Sequence, residues 1–112
     1  MRGTMMTYRP DGGLTVRALD GPPDLDDLRA AVDGDHIELV PGFNTFPHGD
    51  DRVPCVAFCG ENGKLKHRPL NIRATILWER ALRRGGTDLH GEDFLVGSVC
   101  VIYGDEELME AL

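Results

Sequence analysis

The chain has 112 residues, 41% of them hydrophobic, and a net charge of −7, which is enough for one hydrophobic core and excludes two. No apolar run approaches the roughly 18 to 20 residues of a bilayer span, and the opening "MRGTMMTYRPDGG" has no signal-peptide core, so a cytoplasmic protein without membrane attachment is expected. Cys55, Cys59 and Cys100 are an odd number outside any secreted-type disulfide framework, which predicts reduced, buried thiols.

Residues 1–13 mix polar, Gly and Pro residues without periodicity and include Met5 and Met6 as alternative starts beside Met1. They read as a flexible lead-in to a single domain spanning 14–112. "LTVRALD" (Leu14 to Asp20) alternates as a half-buried strand and is ended by Gly21, Pro22 and Pro23. In "DLDDLRAAVDGD", Leu25, Leu28 and Val32 form a helical stripe. Asp24 is the predicted N-cap, with Asp26 and Asp27 where the helix dipole favours anions and Gly34 as the stop.

"HIELV" (His36 to Val40) is a short strand, followed by a predicted loop, "PGFNTFPHGDDR", through Arg52. A connection of that length carrying Phe43, Asn44, Phe46 and His48 offers stacking and hydrogen-bonding groups to a ligand, although the phenylalanines equally suit the edge of a core. "VPCVAFCG" reads as a strand, Asn62-Gly63 as a hairpin turn, and Lys64 to Arg68 as the return strand, ended by Pro69. Cys55 and Cys59, four apart on that strand, stand roughly 13 Å from one another and cannot share one ion.

Asn71 is the predicted cap of the helix "IRATILWERALRR", whose Ala74, Leu77, Trp78, Ala81 and Leu82 form the buried stripe. Gly85 and Gly86 close it. "DFLVGSVCVIY" (Asp93 to Tyr103) is a continuous apolar run, predicted to be a central strand covered on both faces or against a helix, with Gly97 marking a bulge. Asp105 then caps a short helix, "EELMEAL". The predicted fold class is α+β: a mostly antiparallel sheet of about five strands with two main helices and a short C-terminal helix packed against it.

The charge is segregated. Lys64, Lys66, Arg68, Arg73, Arg80, Arg83 and Arg84 stand against Glu79 alone, so 64–84 carries +6 while the remainder carries −13. With the helix N-terminus at Asn71 adding backbone donors, Lys66, Arg68, Asn71 and Arg73 are the candidate ligand-binding residues for a small anionic nucleotide, joined by Phe43 and Asn44 from the long loop. The competing reading is that these cations pair with the chain's own acids. Duplex nucleic acid is disfavoured, because the acidic remainder repels a long polyanion. His36, His48, His67 and His90 are scattered without a second His or Cys at ligand spacing, so neither a metal nor a cofactor is expected. None of the common hydrolase, protease or nucleotide-binding motifs occurs, so no catalytic residue is assigned.

"NGKLKHRPLNIRATILW", followed by "DFLVGSVCVIYG" and preceded by "HIELVP", resembles a family of small domains of unknown function found in phages, plasmids and other mobile elements. The resemblance runs from about Leu14 to Tyr103 and rests on the Asn62-Gly63 turn, the Asn71-x-x-Ala74-Thr75 helix start and the stretch from Asp93 to Gly97. It implies an accessory or counter-defence setting and carries over no catalytic residues. The leading expectation is therefore a non-enzymatic binding protein that sequesters a nucleotide signal or docks on a host defence protein. The alternatives are an acidic mimic of nucleic acid that inhibits a nuclease or CRISPR effector, and a small enzyme in which Cys59 meets His67. A homodimer would cover the exposed edge expected at Lys64 to Arg68 and the aromatic loop.

Overall fold

"VCVIYG" is apolar at consecutive positions, which suits a strand covered on both faces, and it forms the central strand of the molecule. The computed structural model describes residues 1–87 and 93–112; His90 lies outside them. Along the chain run β1 (Gly3–Tyr8), β2 (Leu14–Leu19), α1 (Leu25–Ala31), β3 (Ile37–Leu39), β4 (Thr45–His48), β5 (Asp51–Pro54), β6 (Val56–Gly60), α2 (Ile72–Arg84), β7 (Val99–Gly104) and α3 (Glu106–Glu110). Five strands make an antiparallel sheet in the order β2-β1-β7-β6-β3, and β4 and β5 form a separate hairpin. The architecture is α+β with two main helices and a short C-terminal one.

Alternation along β7 distributes its side chains between two cores. Val99 and Val101 join Tyr8, Phe46, Ala57, Trp78 and Leu82 beneath α2 and the β4–β5 hairpin. Cys100 and Ile102 join Met5, Leu19, Leu28, Val32 and Leu108 beneath α1 and α3. Each helix is capped as its sequence predicts. Asp24 accepts from Asp27 N at 2.8 Å, Asn71 from Ala74 N at 3.1 Å, and Asp105 from Leu108 N at 2.9 Å. Leu25, predicted on the buried stripe of α1, is instead exposed in its first turn, and the burial falls to Leu28 and Val32.

Four expectations are corrected. Residues 1–13 are not a loose lead-in: β1 runs between β2 and β7, paired to both over its whole length, and supplies Met5 and Tyr8 to the two cores. Its mixed composition hides a strand because Thr4 and Thr7 alternate with residues of both faces. The stretch 41–52 is a loop only over 41–44; from Thr45 on, β4 and β5 form a tight hairpin across Gly49 and Asp50, with Gly49 at a φ of 63°. Pro47 and Pro54 disguise it.

Asn62-Gly63 does not turn a hairpin, and Lys64 to Arg68 is not a strand. Lys66 N donates to Asn62 O at 3.0 Å, His67 N to Lys64 O at 3.2 Å, and Arg68 N to Gly63 O at 2.9 Å. That pattern is a single helical turn ended by a left-handed residue, His67, at a φ of 54°. The run from Asp93 to Ser98 precedes β7 instead of extending it. It passes antiparallel to 69–71 through a bridge between Leu70 and Val96, with Asn71 N on Leu95 O and Gly97 N on Pro69 O, both at 2.8 Å.

Candidate functional site

The helical turn at 62–67 is fastened by charge. Asp35, only 5% exposed, accepts hydrogen bonds from Lys66 Nζ and, at 3.3 Å, from Arg68 Nη2. The Lys66 ammonium holds the Asp35 carboxyl below the usual carboxylate range; burial opposes this and Arg68 adds to it. Alongside, Asp33 accepts from Ser98 N and Ser98 Oγ, both at 2.8 Å. Gly97 sits there at a φ of 69°, where a Cβ would stand 2.8 Å from Asp33 Oδ2. The "DGD" after α1 thus knits the basic turn to the start of β7.

The residues expected to bind an anion do not converge on one surface. Lys66 and Arg68 are engaged by Asp35. Asn71 is 1% exposed, and its side-chain amide donates to Tyr8 O at 2.9 Å and Gly97 O at 2.8 Å. Arg73 lies over the Tyr8 ring, 5.1 Å from its centroid. Burial raises the Tyr8 phenol, while the Arg73 cation works in the other direction. Phe43 is buried at 2% beneath α2, so it belongs to the core. Asn44 is exposed, and its carbonyl accepts from Cys55 N at 3.0 Å.

Cys59 opens onto a cleft of about 310 Å³ lined by Val40, Trp78, Phe94 and Leu95, with Lys64 and Glu38 at its rim. Burial pushes its thiol up to about 11, with Glu38 adding to the rise, which is the reverse of an activated nucleophile. Cys55 and Cys100 are raised to about 12 by burial as well. All three cysteines are free. Among the described residues, no group of three or more His, Cys, Asp or Glu side chains is placed to hold a metal ion, and no helix is long and apolar enough to cross a membrane.

The feature that stands out is apolar. Ile72 (63% exposed), Ile76 (43%), Leu70 (48%) and Phe94 (43%) border a groove of about 530 Å³ along the N-terminal half of α2. Scattered exposed apolar residues are ordinary; these four instead meet along one groove. The acids on its margin are neutralised within the chain: Glu79 pairs with Arg83, and Asp93 with Lys64 at 2.7 Å. Further along the exposed side of α2 come Arg80 and Arg84. The exposed isoleucines thus stand in the first half of the helix and most of its exposed arginines in the second.

Sequence periodicity points to the buried stripe and leaves Ile72 and Ile76 unassigned. The available signal is two isoleucines four apart on the side of the helix away from Trp78, where solvent favours polar residues.

A two-sided antiparallel sheet with capped helices and an apolar groove among the described residues defines the class: a small α+β domain with an apolar groove along one helix. The chain belongs to the family described as Domain of unknown function (DUF3846), whose model matches residues 1–110 and so takes in β1 as well as the rest of the fold. No curated protein and no solved structure matches it significantly.

Proposed function

We propose that this chain is a non-enzymatic binding protein that docks on a partner protein through the exposed face of α2. The observation that carries this is the groove bordered by Leu70, Ile72, Ile76 and Phe94, with the exposed cations Arg80 and Arg84 farther along the same helix. An apolar groove on a helix that also presents exposed arginines suits an amphipathic helix whose apolar residues fill the groove and whose acids reach the arginines. The occupant is therefore an acidic amphipathic segment of another protein. A host defence protein as the owner of that segment accords with the counter-defence setting implied by the resemblance to mobile-element domains.

Protein docking is favoured over nucleotide sequestration because Lys66, Arg68 and Asn71 have partners within the chain and Arg73 lies against Tyr8. Nucleic-acid mimicry has less support. Asp24 and Asp105 are committed to helix caps and Asp33 and Asp35 to the turn, so they are not arranged as a phosphate-like row.

The test is titration with two synthetic amphipathic helices, one with Leu and Glu faces and one with Leu and Lys faces, against wild type and Ile76→Asp. The reading expects the acidic helix to bind, the basic one not to, and Ile76→Asp to weaken binding at least tenfold. Equal binding of the two helices, or unchanged binding by the variant, contradicts it.

A further inference from the structure

The two edges of the five-stranded sheet are built differently. β3 has only three residues, and its ladder with β6 ends one pair later, where Val40 N donates to Ala57 O at 2.9 Å just before Pro41. β2 has six residues without proline, and Thr15, Val16, Arg17 and Ala18 are all exposed, with Val16 at 60%. Four successive exposed residues in a strand at the end of the sheet order leave its middle and outer edge largely open among the described residues. Its one charge, Arg17, is balanced by Asp27 at 3.4 Å, so the usual protection of an edge by bare charge is weak.

The hairpin fixes which backbone groups point outward. Arg9 N donates to Gly13 O at 2.9 Å and Gly12 N to Arg9 O at 3.0 Å, closing the turn at a hydrogen-bonded pair. Bonded and non-bonded pairs alternate along an antiparallel ladder, so Thr15, Arg17 and Leu19 bond inward to β1. Leu14, Val16 and Ala18 consequently aim N–H and C=O away from the sheet.

These three residues are self-complementary. We propose that two copies of the chain pair β2 with β2 antiparallel across a two-fold axis at Val16, joining the five-stranded sheets into one continuous sheet. In that register Val16 exchanges both backbone bonds with the partner's Val16, and Leu14 does so with the partner's Ala18, reciprocally. Isologous pairing through this edge leaves the α2 groove open, so each dimer carries two copies of it. The short β3 edge offers no equivalent template.

The experiment is sedimentation equilibrium of the full chain, wild type against Val16→Pro, Val16→Lys and Ile76→Asp. Proline at 16 removes an outward donor without touching the β1 ladder, and lysine sets two ammonium groups across the axis. The expected result is a reversible wild-type dimer, weakened at least tenfold by each Val16 variant and unchanged by Ile76→Asp, with all variants keeping the wild-type circular dichroism. Should Val16→Pro unfold, Val16→Lys alone carries the test, since position 16 is exposed. A wild type that stays monomeric, a dimer indifferent to Val16→Lys, or one dissolved by Ile76→Asp instead overturns the proposal.

Discussion

The side-chain amide of Asn71 donates to the backbone carbonyl of Tyr8 at 2.9 Å, joining the first turn of α2 to strand β1 across 63 positions of sequence. The same amide reaches Gly97 O, and its oxygen caps the helix at Ala74 N, so one buried residue ties α2, β1 and the approach to β7 together. Replacing it with alanine removes a cap and two buried side-chain hydrogen bonds. Asn71→Ala is expected to cost about 2–4 kcal/mol, read as a lower denaturation midpoint. Asn71→Asp is expected to do no better, because a carboxylate cannot donate to either carbonyl.

Asp35 has a folded pKa below its ordinary value of 3.8 because Lys66, and then Arg68, favour the charged form against burial. A depressed folded pKa contributes stability that is present above 3.8 and is lost as pH falls from there through the folded value. Asp35→Asn is expected to lower stability at neutral pH by about 1–3 kcal/mol through loss of charge-assisted hydrogen bonds. The gap between variant and wild type should narrow in that acidic window; a gap that stays constant with pH contradicts the assignment. The comparison must be made as a difference, because Asp93 and Asp105 are also held below their ordinary values.

All three thiols are pushed upward by burial, to about 12 for Cys55 and Cys100 and about 11 for Cys59. At pH 8 the native protein is expected to react with a thiol reagent far more slowly than a free cysteine, with Cys59, the only one not fully buried, first. In denaturant all three should react at the free rate. Rapid modification of one thiol in the native state would mark an activated cysteine and revive an enzymatic reading.

Much of the fold is legible in local sequence. The caps Asp24, Asn71 and Asp105, the stripe from Ala74 to Leu82 and the two-sided β7 follow from periodicity and helix-end chemistry acting within a few residues. What escapes is set by partners distant in sequence. Lys64 to Arg68 has the alternation of a strand, yet Asp35, about thirty positions earlier, holds it as a helical turn. β1 has weak alternation of its own and is fixed by β2 and β7 on either side. The β4–β5 hairpin turns at Gly49-Asp50, and Pro47 and Pro54 mask its strands.

The candidate site was less legible than the fold. Charge counting shows that cations collect between 64 and 84, but not that Asp35 takes Lys66 and Arg68, nor that Asn71 turns inward. The apolar groove arises from Leu70, Ile72 and Ile76 meeting Phe94, which arrives from the segment before β7. Only the tertiary structure brings them together.

The most direct measurement of the docking role is a backbone-amide NMR titration of the full chain with the acidic Leu/Glu helix. The account expects the largest shift changes at Leu70, Ile72, Ile76 and Phe94, with smaller ones at Arg80 and Arg84, and none in β2 or α3. Changes centred instead on Lys66, Arg68 and Arg73, or spread over the acidic starts of α1 and α3, would contradict it.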